Sequence, residues 1–233
     1  MTVIEAMSID ERRIVERSLP YTMTGPERLL SLVDAVRYCV QAEVPGSFAE
    51  CGVWKGGSVL AMILTLQACG AGDRDIYLYD TFEGMTEPTE YDTSTVHPPA
   101  QEIFEEARTK DEKPFAGFFD SKLFNENAVR ATLSETGYPE GRLHFVRGPV
   151  EETVPAHLPE RIALLRLDTD WYESTRHELE HMYPRLERGG VLIIDDYGHW
   201  DGSRRAVDEY FAQSPETLLL QRIDYSARMA VRP

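Results

Sequence analysis

Short apolar runs alternate with helical patterns along most of this 233-residue chain, and that order constrains the fold more than any other feature. Ser47–Cys51 (SFAEC) is followed by GSVLAMILTLQAC, then by Ile76–Asp80 (IYLYD), LHFV, IALLRLD, a helical pattern from about Tyr172 to Glu187, and VLIID. Apolar strands separated by helices build βαβ units, in which a parallel sheet is covered on both faces. The expected class is therefore α/β, with a mostly parallel, doubly wound sheet. Two late runs, TLLLQRI and ARMAVR, flank Asp224-Tyr225-Ser226 and predict an antiparallel C-terminal hairpin after a helix from about Arg204 to Gln213. Upstream, Thr24 to Val44 opens on a T-G-P-E capping box, carries Leu29, Val33, Val36 and Val40 at helical spacing, and stops at Pro45-Gly46.

The length suits one domain, with residues 1–46 as an N-terminal helical or lid segment. Residues 81–122 break the alternation: they are polar, proline-spotted and acidic, with one modest helical signal from Pro99 to Arg108. A loop that long in a compact domain is either a lid over a ligand or a surface insertion, and a lid is expected here.

With 24 Lys and Arg against 40 Asp and Glu, the net charge of −16 disfavours nucleic acid and anionic membrane surfaces and favours a small-molecule partner. Cys39, Cys51 and Cys69 form no CxxC pair and cannot complete a disulfide framework, which fits a reduced, cytoplasmic setting. The opening MTVIEAMSIDERRIVERS lacks an apolar signal core, and the longest apolar stretch, Val59 to Cys69, is too short to span a membrane.

Ligands of doubly wound sheets bind outside the carboxyl ends of the strands, so the residues there carry the function. The first strand ends Glu50-Cys51-Gly52-Val53-Trp54-Lys55-Gly56-Gly57-Ser58, a glycine-bearing turn into a helix but not GxGxxG. Glu50 is a poor neighbour for a pyrophosphate and a good one for an ammonium; Asp80, closing the second strand, suits a pair of ribose hydroxyls. Both together fit S-adenosylmethionine better than a nicotinamide dinucleotide. Later strands end in Asp168 and in the pair Asp195-Asp196. Acids in such places are solvated, paired or bound to a cation, and oxygen-only donors favour a hard ion such as Mg²⁺. His177-Glu178-Leu179-Glu180-His181 matches H-E-x-x-H, but helical phase sets both histidines opposite the apolar face, where they are expected to meet solvent rather than zinc. His199 and Trp200, just past the Asp pair, are expected to border the substrate.

PYTMTGPERL, FAECGVWKGGSV, YDTFEGM, RLDTDWYEST, GGVLIIDDYGHW and AVDEYF, in this order, give the chain an extensive resemblance to the macrocin O-methyltransferase family of sugar-modifying enzymes. The resemblance implies a Rossmann-like class I methyltransferase fold, S-adenosylmethionine as donor, and Mg²⁺ held by Asp168, Asp195 and Asp196, with Asp168 also the general base. It implies that Glu50 holds the donor ammonium, Gly52 and Ser58 border its carboxylate, Asp80 holds the ribose, and Gly148 borders the adenine. Tyr21, Thr22 and Met23 match a segment that folds over donor and acceptor: Thr22 and Met23 are assigned to the donor, and Tyr21, Asp170, Tyr197 and His199 to the acceptor. The acceptor implied is a sugar hydroxyl on a natural product or a nucleotide sugar, and the assembly a homo-oligomer, dimer or tetramer. A catechol-type O-methyltransferase, a metal-dependent phosphohydrolase, a nicotinamide-dependent oxidoreductase and a non-catalytic binding domain stay open as alternatives.

Overall fold

The computed structural model describes residues 3–120 and 124–233. Two short N-terminal helices come first, α1 (Val3–Ala6) and α2 (Ile9–Ser18). The first capping box is at Ser8 rather than at Thr24: Ser8 Oγ accepts from the Glu11 amide at 3.3 Å, and Glu11 Oε2 accepts from the Ser8 amide at 2.8 Å. Helix α3 (Pro26–Gln41) takes Gly25 as its N-cap and Pro26 as its first residue, a position where proline gives up no hydrogen bond. That leaves Thr24 outside the helix, its hydroxyl 3.1 Å from that of Thr22. The helix stops at Gln41, short of Val44, because Glu43 turns left-handed with φ 50°.

The rest alternates as the sequence predicts. Strand β1 (Ser47–Cys51) leads to α4 (Gly57–Ala68) and β2 (Ile76–Asp80); α5 (Ala100–Thr109) and α6 (Glu126–Ser134) precede β3 (Leu143–Arg147). Then come α7 (Val150–Thr153), β4 (Ile162–Leu167), α8 (Tyr172–His181), β5 (Leu186–Ile194), α9 (Asp201–Gln213), β6 (Gln221–Arg222) and β7 (Arg228–Val231). The sheet order is β3-β2-β1-β4-β5-β7-β6, parallel from β3 to β5 and antiparallel through β7 and β6. Phe48, Leu78, Leu164 and Ile193 face α3 and α4; Ala49, Tyr79, Leu165 and Leu192 face α8 and α9. Because both faces are covered, the central strands are mostly apolar, with Glu50 in β1 and Arg166 in β4 as buried exceptions, and each fully buried Leu or Ile contributes roughly 1.5–3 kcal/mol. Helix α4, apolar on all sides, is buried throughout its first nine residues except Leu64.

Three boundaries differ from expectation. Helix α8 ends at His181, since Pro184 cannot continue an α-helix, and β5 starts as early as Leu186. Only Gln221 and Arg222 of TLLLQRI pair, leaving Leu219 85% exposed. Helix α9 begins at Asp201, three residues before Arg204.

The stretch after β2 is tied to the body along its first half. Asp92 accepts from the Tyr172 amide at the start of α8 at 2.7 Å, and Trp171 Nε1 donates to the Thr86 carbonyl at 2.9 Å. Thr93 joins Asp201 through its hydroxyl at 2.9 Å, and Phe104 packs with Trp171 and Trp200. Residues 121 and 122, the end of the expected insertion, lie outside the described residues. No helix among the described residues is long and apolar enough to cross a membrane, and all three cysteines are free thiols.

Candidate active site

Parallel strands end on one edge, and the order reverses there between β1 and β4, the switch point at which doubly wound sheets bind ligands. A cavity of about 380 Å³ opens at that point. Two glycines let its floor close up, but against the chain's own backbone rather than against a ligand. Gly52, at φ +84°, lies under the Asp168 carbonyl, where any Cβ would collide. A Cβ on Gly57 would meet the Tyr21 carbonyl carbon at 2.6 Å, so α4 could not approach the N-terminal segment.

Beneath the cavity lies a buried charge network. Arg166 on β4, 3% exposed, donates from Nη1 to Glu50 Oε1 at 2.5 Å and to Asp168 Oδ2 at 2.7 Å, and from Nη2 to Asp195 Oδ1 at 2.6 Å. Register explains the first contact, since Glu50 and Arg166 are direct partners across the β1–β4 ladder. Arg28 on α3 reaches over to pair with Asp195, and its Nε donates to Asp224 at 2.7 Å. Ligand oxygens of Asp168, Asp195 and Asp196 lie within 4.8 Å of one another. Asp196 Oδ2 is buried with no hydrogen-bond partner among the described residues. Counting Glu50, Asp168, Asp170, Asp195 and Asp196 against Arg28 and Arg166, the acids outnumber the guanidiniums. An excess of buried carboxylate, an orphaned oxygen and an all-oxygen donor set fit a hard divalent cation.

Titration follows the burial. Desolvation pushes the Asp168 carboxyl up to about 7, with Arg166 pulling it back and Asp195 pushing it further. Desolvation and Asp168 raise Asp170 to about 8, and burial raises Glu50 to about 8 against the pull of Arg166. Asp196 lies well above the usual carboxylate range, from burial first and then from Asp170, Asp168 and Asp195.

Most of the sequence-selected residues border the cavity: Thr22, Met23, Gly52, Ser58, Asp80 and Gly148 toward β1 to β3, and Asp168, Asp170, Asp195, Asp196 and His199 toward β4 and β5. Asp80 is committed to the turn, accepting from the amides of Val53 at 2.7 Å, Trp54 at 2.9 Å and Phe82 at 2.7 Å. Three residues lie off the wall. Glu50 is fully buried on Arg166 beneath the floor, with Oε2 unpaired; Tyr21 packs into the core; Tyr197 turns toward α9, its hydroxyl donating to Asp208 at 2.8 Å.

Among the described residues, the H-E-x-x-H segment is not part of any cluster of three possible metal ligands. Its histidines are half-buried rather than facing solvent, because α7 packs over that side of α8: the rings lie 4.4 Å apart, and His177 Nε2 is 2.9 Å from the Val154 carbonyl. Glu178 between them is fully buried, its Oε1 3.0 Å from Thr169 Oγ1. Sequence reasoning missed Arg28, Arg166 and His97; an arginine inside the apolar run IALLRL was the available signal, since a buried guanidinium requires carboxylates around it.

The sheet order, the site at its switch point and the acidic cluster are those of a Rossmann-like methyltransferase. The O-methyltransferase NovP has the same fold, with a TM-score of 0.75 and 28% identity over 91% of this chain and 82% of that one. A calicheamicin methyltransferase shares the fold at 21% identity, with a TM-score of 0.67 over 97% of this chain and 93% of that one. The chain belongs to the Macrocin-O-methyltransferase (TylF) family, whose profile matches residues 5–231, and it is an O-methyltransferase. It is 36% identical, over 83% of its length and 68% of the relative's, to the 8-demethyl-8-(2,3-dimethoxy-alpha-L-rhamnosyl)-tetracenomycin-C 4'-O-methyltransferase of Streptomyces olivaceus. The mycinamicin III 3''-O-methyltransferase of Micromonospora griseorubida is 32% identical over 89% of this chain and 78% of its own. The demethyldecarbamoylnovobiocin O-methyltransferase of Streptomyces niveus is 30% identical over 83% and 68%.

Proposed function

We propose that this protein transfers the methyl group of S-adenosylmethionine to a sugar hydroxyl of a small natural product, with a divalent metal held by Asp168, Asp195 and Asp196. The observation that carries this reading is the convergence of those three carboxylates beside a cavity at the switch point, one of their buried oxygens lacking a partner. Relatives named for methylation of rhamnosyl and mycinamicin substrates support a sugar-bearing acceptor.

The donor supplies an electrophilic methyl on a sulfonium, and the wall from Gly52 to Asp80 and Gly148 is where this chain would receive it. A bound divalent cation supplies charge that lowers the pKa of a coordinated hydroxyl. Asp168 takes the hydroxyl proton while the oxygen forms its bond to the methyl carbon and the sulfur keeps the electron pair. Asp168 borders the cavity, so its carboxylate is within reach of a hydroxyl bound there. Arg166 holds Asp168 and Asp195 in fixed orientation, so that positioning is established before substrate arrives.

The test is calorimetric titration of S-adenosylmethionine and of Mg²⁺ into the wild type and into the double variant Asp195→Asn/Asp196→Asn. Donor binding by both proteins, with metal binding and methyl transfer lost only in the variant, is the expected result. Absence of donor binding in the wild type overturns the reading.

A further inference from the structure

The H-E-x-x-H segment buries an acid that the proposed reaction does not use. Glu178 in α8 is fully buried; its Oε1 accepts from the Thr169 hydroxyl at 3.0 Å, and its Oε2 has no hydrogen-bond partner among the described residues. A carboxyl so placed costs stability that an apolar side chain would not, and burial pushes it toward its neutral form. Packing alone therefore does not account for an acid at this position.

What Glu178 touches is the loop that carries the acids after β4. Helical side chains lean toward the N-terminus of their helix, so from the second turn of α8 Glu178 reaches back to the residues that precede it. Three consecutive residues there turn different ways. Asp168 accepts from Arg166 at 2.7 Å and belongs to the carboxylate cluster, Thr169 turns to Glu178, and Asp170 accepts from Trp200 Nε1 at 2.8 Å. The backbone between them is fastened at both ends: the Asp168 amide donates to the Cys51 carbonyl at 2.9 Å, and the Trp171 amide to the Thr169 carbonyl at 2.7 Å. Asp170 is left-handed at φ 67°, a conformation that a residue other than glycine keeps only where its neighbours impose it. Asp168 and Asp170 are thus held from the cavity side, and the bond from Thr169 to Glu178 holds the same loop from the side of α8.

We propose that Glu178 is a positioning residue for the metal site: through the Thr169 hydroxyl it fixes the 168–170 loop so that Asp168 meets the cation together with Asp195 and Asp196. The proposal rests on the metal-dependent reading above. Removing a group that orients a metal-binding side chain weakens metal binding by about ten-fold or more, whereas a side chain that only fills the core changes the melting temperature instead. The test titrates Mg²⁺ calorimetrically into the full chain as wild type, Thr169→Val, Glu178→Leu and Glu178→Gln, with S-adenosylhomocysteine titrated separately and each protein melted in chelator. Thr169→Val and Glu178→Leu are expected to bind Mg²⁺ about ten-fold more weakly, while Glu178→Gln, which keeps the accepting oxygen, stays within about two-fold of wild type. All four should bind S-adenosylhomocysteine alike, and Glu178→Leu should melt no lower than wild type, because an apolar side chain replaces an unpaired acid. Wild-type Mg²⁺ affinity in Thr169→Val overturns the proposal whether or not Glu178→Leu folds. So does a loss in Glu178→Gln equal to that in Glu178→Leu, or a parallel loss of S-adenosylhomocysteine binding in the variants. Failure of the wild type itself to bind Mg²⁺ overturns the metal-dependent reading as well, so the two failures are told apart.

Discussion

Arg166 and Glu50 face each other across the β1–β4 ladder with Nη1 2.5 Å from Oε1, and the same guanidinium holds Asp168 and Asp195. One buried cation therefore joins the end of β1 to the acids at the ends of β4 and β5. Truncation by Arg166→Met leaves three carboxylates without it and is expected to destabilise the fold by about 3–5 kcal/mol, read as a drop in the denaturant midpoint. Arg166→Lys restores part of that stability but not methyl transfer, because an ammonium cannot serve three carboxylates in a fixed fork. Wild-type turnover by the lysine variant would remove the positioning role.

Asp196 carries the opposite expectation. Its carboxylate is 7% exposed, with Oδ2 unpaired, so in the absence of metal it costs stability. In chelator, Asp196→Asn is expected to melt at or above the wild-type temperature; with Mg²⁺ added, only the wild type should shift upward. A variant that melts lower in chelator and still shifts with Mg²⁺ contradicts the assignment of Asp196 as a ligand.

Glu178 gives a pH signature. Burial raises its pKa well above the usual value, against the pull of the Thr169 hydroxyl and with a further push from Glu151. A raised folded-state pKa means that the contribution to stability is complete below the ordinary carboxylate range and is lost as pH climbs through the folded value. The wild type should therefore lose more stability than Glu178→Gln between mildly acidic and alkaline pH. Parallel stability curves for the two proteins would show that Glu178 is ionised in the folded state.

Asp92 tests how the stretch after β2 is fastened. It accepts from the Thr89 amide at 2.6 Å, the Thr89 hydroxyl at 2.9 Å and the Tyr172 amide at 2.7 Å, capping both its own turn and α8. Asp92→Ala is expected to cost about 1–3 kcal/mol and to hasten limited proteolysis between residues 81 and 120. Unchanged cleavage kinetics would mean that Trp171 and Phe104 hold the segment without it.

Patterning along the chain determined the layered α/β fold: apolar strands at βαβ spacing have only one way to bury both faces, and acids at their ends fall on one edge. Asp168, Asp195, Asp196 and Asp80 were legible for that reason. Helix ends were less so, because proline and glycine placement decides them locally, as at Gly25-Pro26 and Pro184. Only the tertiary structure decided what each acid faces. Glu50 reads as a free carboxylate at a strand end, yet the register of β1 against β4 sets it on Arg166, beneath the cavity floor. Arg28 reaches Asp195 and Asp224 from 167 and 196 residues away in sequence, and His97 meets Trp200 from a loop that Asp92 and Thr93 tie to the start of α8 and to Asp201. Periodicity records which face of an element is buried; the partner of a buried charge depends on register and on chain closure over long separations, which no local pattern encodes.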